Sequence, residues 1–177
     1  MSKKLLVVVD YQKDFVSGAL GFPGADELDK IICGKIERAR QEGYDVAFTF
    51  DTHQENYLST SEGKNLPVPH CIAGTEGHAL FGQTAAALRP GDACYQKPVF
   101  GSAELFDALR SSDYQVVELC GLVSNICVLS NAVLAKTALP EAEIIVDPAA
   151  TASHDPALHL AAIQVLGGIQ VKTQGGL

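Results

Sequence analysis

A cysteine stands near the start of a predicted helix, a place that suits a nucleophilic thiol. Cys127 follows Ser124 and Asn125, either of which can cap the helix predicted over 125–139, so the thiol falls within the first turn. The helix dipole and a nearby cation would both lower the pKa of this thiol and favour the thiolate. From position alone, the alternative is a small buried residue on the inner face of the helix.

Asp10 and Lys97 are charged residues that could assist such a thiol. Asp10 directly follows the apolar run 5–9, where a carboxylate needs an ion-pair or hydrogen-bond partner. Its simpler interpretation is a cap or salt-bridge partner at the end of a strand. Lys97 lies in a short extended segment, 95–100, and without further evidence it is interpreted as a surface lysine.

Asp51 and His53 are spaced so that both side chains could bind one metal ion. They follow the predicted strand 46–50, and residues i and i+2 of an extended chain point the same way. His70 offers a third ligand from an irregular segment, and Glu62 is a further carboxylate within reach. Two histidines and one carboxylate suit zinc, iron or manganese, with coordination positions left open. The alternative is an exposed polar loop.

The elements that must position these residues alternate between strands and helices. Strands are predicted at 5–9, 46–50, 116–122, 144–146 and 169–171, and helices at 26–42, 83–88, 103–109, 125–139 and 156–166. This order is typical of a three-layer, doubly wound α/β fold with a mostly parallel sheet. In such sheets ligands bind at the carboxyl ends of the strands. The irregular segment 53–95 is long for a compact domain, which favours a functional role.

Composition narrows the classes of protein to which the chain can belong. The 177 residues predict one domain over 1–177, and a net charge of −8 argues against partners such as nucleic acid or anionic membranes. The apolar run 5–9 is far shorter than the ~20 residues of a membrane span, and it does not form a signal peptide. A cytoplasmic location is therefore expected, while self-association into a homo-oligomer stays open. The five cysteines contain no C-x-x-C pair, so no disulfide framework is predicted.

The segments around these residues resemble the isochorismatase-like cysteine hydrolases. The opening Leu-Leu-Val-Val-Val-Asp-Tyr-Gln-Lys-Asp-Phe of 5–15 resembles the first strand of that family and its acid. Gly-Leu-Val-Ser-Asn-Ile-Cys-Val at 121–128 resembles the nucleophile segment, G-V-x-T-D-x-C-V, and Lys97 falls at the position of the intervening lysine. The segments 51–53 and 69–77 are similar to the metal-site segments of the nicotinamidase (pyrazinamidase) branch.

The resemblance implies a six-stranded parallel sheet and a triad of Asp10, Lys97 and Cys127. It also implies a cis peptide bond at Leu122–Val123, with the backbone N–H groups of Val123 and Cys127 as the oxyanion hole. One divalent metal ion would be held by Asp51, His53 and His70, with Glu62 as an additional ligand. Zinc is the metal expected first, with iron and manganese as alternatives. The residues expected to contact substrate are Phe15, Phe100 and Leu122.

Two departures from the family pattern concern the nucleophile segment and the pocket. Asn125 stands where Asp is commoner and Leu122 where Val is, but neither belongs to the triad. The chain has no Trp, although several nicotinamidases place an aromatic residue near the second metal histidine. Stacking on the substrate would then come from Phe15, Phe100 or Tyr57.

The resemblance implies an enzyme, a metal-dependent cysteine amidohydrolase that converts nicotinamide to nicotinate and ammonia through a thioester. One alternative is a related amide or ureido hydrolase of the same family that acts on another small molecule. Another is a non-catalytic interaction module, against which the intact Asp10, Lys97 and Cys127 weigh.

Overall fold

The computed structural model describes residues 3–173. They contain one parallel sheet of five strands. The strands are β1 (Lys3–Val9), β2 (Asp45–Asp51), β3 (Ala93–Lys97), β4 (Tyr114–Leu122) and β5 (Glu143–Ala152). They lie in the order β3-β2-β1-β4-β5, and all neighbours run parallel. The predicted doubly wound α/β fold is therefore confirmed.

Helices cover both faces of the sheet because alternate strand residues point to opposite sides. The helices are α1 (Lys13–Val16), α2 (Leu28–Gln41), α3 (Ser61–Asn65), α4 (Gly82–Ala87), α5 (Ala103–Arg110), α6 (Leu129–Ala138) and α7 (Pro156–Gly168). Val7 of β1 packs in a core with residues of α5, α6 and α7. Val8, its neighbour, packs in a second core with residues of α2. The sheet is thus the middle of three layers.

The strand predicted over 169–171, which with the extended segment 95–100 would bring the sheet to six strands, does not form. In the described residues only Lys172, which follows it, makes an isolated bridge with Ile145 of β5. Ile169 and Gln170 instead bond back to the end of α7. The sheet has five strands because this segment continues the turn that ends the helix.

The predicted helix 125–139 begins as a wider turn. Ser124–Val128 form one π-helical turn, after which α6 runs as an α-helix from Leu129. The N–H of Val128 reaches the carbonyl of Val123 at 3.2 Å, five residues back, as a π turn requires. Cys127 therefore lies in this π turn.

The irregular segment between β2 and β3 has only short helices. Two 3₁₀ turns, Tyr57–Ser59 and Glu76–His78, accompany α3 and α4. Among residues 3–173, no helix combines the length and the apolar character needed to cross a membrane.

Candidate active site

The strand ends bring Asp10, Lys97 and Cys127 into contact. Lys97 Nζ lies 2.6 Å from Asp10 Oδ2 and 3.6 Å from Cys127 Sγ. The three side chains are almost wholly buried, with 1% of Lys97, none of Asp10 and 5% of Cys127 exposed. The lysine also donates to the carbonyl of Val99 at 3.1 Å, which fixes its ammonium group between the acid and the thiol.

Local backbone geometry brings the segment 121–128, which carries Cys127, close to β1. Gly121 has a φ of 111°, and a Cβ built there would lie 2.0 Å from the carbonyl oxygen of Val9, so only glycine fits. The next peptide bond, Leu122–Val123, is cis, as the resemblance implied. The π turn that carries Cys127 follows directly.

Burial governs the pKa values of the three groups. It raises the pKa of the Cys127 thiol well above its ordinary value, and the carboxylate of Asp10 adds to this while Lys97 opposes it. The expectation of a lowered thiol pKa is therefore wrong for the resting protein, because burial outweighs the cation. Burial also raises the pKa of Asp10 despite the opposing Lys97 ammonium. For Lys97, burial alone would lower the pKa, but the charges of Asp10, Cys127 and Asp51 raise it above its ordinary value.

Thr49 is a site residue that the sequence patterns did not reveal. Its hydroxyl donates a 2.6 Å hydrogen bond to Asp10 Oδ1, and the Asp10 N–H donates to the Thr49 carbonyl at 3.2 Å. Asp10 itself has a φ of 45°, which turns the chain away from the sheet. The available signal was a hydroxyl residue inside the apolar strand 46–50.

Four side chains form a cluster of metal-ligand type beside the triad. One ligand atom from each of Asp51, His53, Glu62 and His70 lies within 4.8 Å of the others. Asp51 Oδ2 lies 3.0 Å from His53 Nε2 and 3.3 Å from His70 Nε2. Glu62 Oε1 is 3.7 Å and 3.6 Å from the same two nitrogens. The structure thus places the predicted fourth residue with the other three.

The donor set fits a divalent metal ion. His70 Nδ1 lies 2.8 Å from the carbonyl of Val68, which can only accept, so Nδ1 carries a proton and Nε2 is the nitrogen that faces the cluster and would bind a metal ion. Glu62 Oε2 is buried and has no hydrogen-bond partner in the described chain. Two imidazole nitrogens and two carboxylates at such spacing suit zinc, manganese or iron.

The charges around Asp51 favour its ionised form. Burial alone would raise the pKa of Asp51, but hydrogen bonds with His53 and His70 and the charge of Lys97 lower it well below its ordinary value. An ionised carboxylate is the form that binds metal.

Backbone contacts hold the two ligand-bearing segments together. The His53 N–H donates to the Cys71 carbonyl at 3.0 Å, and the Ala73 N–H donates to the His53 carbonyl at 2.8 Å. Asp14, a second residue that the sequence patterns did not reveal, accepts from the Cys71 N–H at 2.7 Å. Cys71 has a φ of 46°, so this contact supports the turn immediately after His70.

Aromatic side chains surround the two histidines. The ring centroid of Phe15 lies 5.5 Å from that of His70, and Tyr57 lies 4.7 Å from His53 and 5.1 Å from His70. Phe100 is 43% exposed, whereas Leu122 is fully buried in the core on the α2 side of the sheet. Substrate contact by Phe15, Phe100 and Leu122 stays a prediction.

A cleft of about 300 Å³ opens beside the cluster. His53, Glu62 and Val99 line it, together with residues of the segment 52–62. This volume is sufficient for a small organic molecule. A larger groove, about 560 Å³, lies at the opposite end of the strands beside Leu5 and Tyr114, and none of Asp10, Lys97 and Cys127 lines it.

The isochorismatase domain model matches residues 4–174. A sequence comparison with curated proteins finds no match.

Solved structures of amidases are similar to the chain over nearly its full length. A pyrazinamidase/nicotinamidase from Streptococcus mutans is 28% identical at a TM-score of 0.87, with 97% of this chain and 100% of that chain covered. A zinc complex of a pyrazinamidase from Pyrococcus horikoshii is 26% identical at 0.83, with 97% and 98% covered. N-carbamoylsarcosine amidase from Thermoplasma acidophilum is 25% identical at 0.79, with 97% and 95% covered.

Proposed function

The chain belongs to the isochorismatase family, a hydrolase of the amidase type, and we propose that it converts nicotinamide to nicotinate and ammonia. One observation carries this proposal. Lys97 Nζ lies 3.6 Å from the Cys127 sulfur and 3.4 Å from Asp51 Oδ1, so a nucleophile and a cluster of metal ligands share one site. Cleavage of the carboxamide uses the nucleophile. The ring nitrogen of nicotinamide could bind to a metal ion held by the ligand cluster, which accounts for the second part of the site.

Asp10 is the base in this mechanism. The thiol of Cys127 is protonated at rest because burial raises its pKa, and Asp10 is within reach of the same Lys97 ammonium. A carboxylate whose own pKa is raised accepts the thiol proton more readily than an ordinary aspartate. Lys97 stays charged throughout and stabilises first the Asp10 carboxylate and then the thiolate.

The thiolate attacks the carboxamide carbon and forms a carbon–sulfur bond. The backbone N–H groups of Val123 and Cys127 stabilise the resulting oxyanion, and each such donor contributes about 3–4 kcal/mol in comparable sites. Asp10 returns its proton to the amide nitrogen as the carbon–nitrogen bond breaks, which releases ammonia. Asp10 then takes a proton from water as the water attacks the thioester. The carbon–sulfur bond breaks, the carboxylic acid product leaves, and Asp10 returns the proton to the Cys127 sulfur.

Asp51, His53, Glu62 and His70 are the residues that would hold a divalent metal ion in this mechanism. When bound, the ion supplies a Lewis-acid position to which a neutral ring nitrogen can bind. The chain's own residues set the rest of the geometry. Asp51 Oδ1 faces Lys97 while Asp51 Oδ2 faces the histidines, so the histidines that would hold the metal ion and the ammonium group that contacts Cys127 lie at the two oxygens of one carboxylate.

A second candidate is an amide or ureido hydrolase with another small substrate. The similarity to N-carbamoylsarcosine amidase favours it, because that structure also spans nearly the whole chain. This reaction needs the triad but makes no use of a ring nitrogen.

The test is ammonia release from purified, zinc-loaded protein offered nicotinamide, pyrazinamide or N-carbamoylsarcosine. Turnover of nicotinamide with the highest kcat/KM supports the proposal. Turnover of N-carbamoylsarcosine alone would replace it with the second candidate.

A further inference from the structure

Gln12 is a fully buried side chain to which the proposed mechanism gives no role. Its carboxamide makes three hydrogen bonds. Oε1 accepts from the backbone N–H of Asp51 at 2.8 Å, and Nε2 donates to the Asp51 carbonyl at 2.9 Å. Nε2 also donates to the carbonyl of His78 at 2.8 Å. One side chain thus satisfies both backbone groups of a residue in the ligand cluster.

The Gln12 carboxamide makes the hydrogen bonds to Asp51 that the backbone of a neighbouring strand would otherwise make. Regular pairing of β1 with β2 ends at Val9 and Thr49. Asp10 then turns the chain with a φ of 45°, so no β1 backbone remains beside Asp51 on that side. A carboxamide has the same donor and acceptor as a peptide group, and here it continues the ladder by two hydrogen bonds.

The opposite side of Asp51 is held by β3. Asp51 pairs in register with Lys97, and the Thr52 N–H donates to the Lys97 carbonyl at 2.9 Å. With Gln12 on one side and β3 on the other, the backbone of Asp51 cannot rotate without breaking hydrogen bonds inside the protein. The orientation of its carboxylate, with Oδ2 3.0 Å from His53 Nε2, depends on that backbone.

We propose that Gln12 is a positioning residue that sets the metal affinity of the site by fixing the backbone of Asp51. This inference rests on the metal site of the proposed function. Groups that orient metal ligands without touching the metal typically change affinity by about 10–100-fold when removed. The third hydrogen bond, to His78, joins the same carboxamide to the segment that follows His70.

Asn131 provides a matched control because it is another fully buried carboxamide with three hydrogen bonds. It accepts from the Ser102 N–H at 3.0 Å and donates to the carbonyls of Phe100 at 3.1 Å and Cys127 at 2.8 Å. None of these partners belongs to the ligand cluster. Loss of the Asn131 carboxamide should therefore reduce stability without acting on Asp51.

The experiment measures zinc affinity of the full-length protein by competition with a chromophoric chelator, and thermal stability in parallel. Gln12→Met keeps the side-chain length and removes all three hydrogen bonds. It should bind zinc about 10–100-fold more weakly than the wild type, whereas Asn131→Leu should stay within about threefold. The side chain of Gln12→Asn is too short to reach both backbone groups of Asp51, so this variant should weaken zinc binding by a similar factor. If Gln12→Met does not fold, the zinc affinity of Gln12→Asn tests the positioning role.

The results separate this inference from the proposed function. Wild-type affinity in the Gln12 variants overturns the positioning role while the metal site stands. An equal loss of affinity in Asn131→Leu also overturns it, because the effect would then follow general destabilisation. A wild-type protein that binds no zinc overturns both the metal site and the role of Gln12.

Discussion

Lys97 Nζ lies 3.4 Å from Asp51 Oδ1 and 3.6 Å from Cys127 Sγ, so one ammonium group joins the thiol to the ligand cluster. The contact follows from strand register, since Asp51 and Lys97 are paired residues of β2 and β3 and their side chains leave the sheet on the same face. The same ammonium contacts Asp10 at 2.6 Å. Substitutions at Asp10 or Cys127 should therefore change the reactivity of the thiol, whereas substitutions in the ligand cluster should change metal binding. The two effects can be measured separately.

Replacement of Cys127 should abolish turnover and leave the fold intact. Cys127→Ala removes the nucleophile but only one atom of a buried side chain, so ammonia release should fall by more than about a thousandfold. Circular dichroism and thermal unfolding should stay close to those of the wild type. Cys71→Ala, at a buried cysteine next to His70 of the cluster, is the control for loss of a thiol. Activity of Cys127→Ala within tenfold of the wild type would rule out the thioester mechanism.

Replacement of Lys97 should move the titration of the Cys127 thiol to higher pH. Burial and Asp10 raise the pKa of this thiol and the Lys97 ammonium opposes them, so Lys97→Ala removes the opposing charge. The pH profile of iodoacetamide labelling at Cys127, read by peptide mass spectrometry, should shift upward. The exposed Cys94 serves as the internal reference for labelling. Lys13→Ala is the control variant, because it removes a partly exposed lysine that is paired with Glu76 rather than with Asp10. An unchanged Cys127 profile in Lys97→Ala would contradict the assigned role.

The sequence predicted the reacting groups better than the residues that hold them. Asp10, Asp51 and Cys127 follow strands or begin a helix, and parallel strands bring such positions to one edge of the sheet. Thr49 was not found, because its side-chain contact with Asp10 spans 39 residues and has no local pattern. Gln12 was missed for the same reason.

Two expectations were wrong because they depended on tertiary packing. The thiol pKa was expected to fall, since the sequence shows a helix start but not the deep burial of Cys127 in the folded chain. A strand over 169–171 was expected because Ile169 and Val171 are apolar, yet these residues bond back to α7, and only Lys172, which follows them, forms a bridge to β5 in the described chain. Local sequence therefore predicted the strands and longer helices that form the sheet and its two layers, whereas burial and pairing length depended on contacts distant in the chain.

Removal of a ligand from the cluster should release metal. Asp51→Ala, His53→Ala and His70→Ala each leave an incomplete site, so metal content should drop and KM should rise strongly. Glu62→Gln keeps a side-chain oxygen that can still act as a neutral ligand, so we expect a smaller loss of affinity. His78→Ala is the control, because this histidine contacts Thr52 but lies outside the cluster. Full metal occupancy in the first three variants would refute the site.

A buried lysine on the far face of the sheet should matter for stability rather than for catalysis. Lys35 Nζ lies 2.8 Å from both Glu118 Oε1 and Asp147 Oδ2, and Glu118 is fully buried. Burial alone would lower the pKa of Lys35, but hydrogen bonds with Asp147 and Glu118 raise it. A raised pKa means that this stabilisation is complete below the unfolded pKa of lysine and is lost only as the pH rises through the folded value. It is therefore fully present at neutral pH.

Lys35→Met should lower the free energy of unfolding by about 3–5 kcal/mol, because it removes the ammonium group that is paired with the buried carboxylate of Glu118. Arg110→Met breaks an ion pair with Asp107 that is exposed on both sides, and its effect should be much smaller. Urea denaturation at neutral pH measures both variants. Equal midpoints for the two would contradict the role of the buried pair.

Nicotinamide and benzamide should differ strongly as substrates. Both carry the same carboxamide on a six-membered aromatic ring, but only nicotinamide has a ring nitrogen that can act as a neutral metal ligand. Binding through that nitrogen orients the carboxamide carbon toward Cys127, so its loss should lower kcat/KM by about 10²-fold or more.

The ligand variants extend this comparison to the residues of the chain. In His53→Ala, kcat/KM for nicotinamide should fall toward that for benzamide, because the ring nitrogen loses its binding position while Cys127, Asp10 and Lys97 stay in contact. The two substrates are compared by ammonia release from the wild type and the variant at the same pH. Equal rates for nicotinamide and benzamide in the wild type would eliminate anchoring through the ring nitrogen. Reaction of neither, with turnover of a non-aromatic amide, would leave the amidase assignment in place and exclude nicotinamide as the substrate.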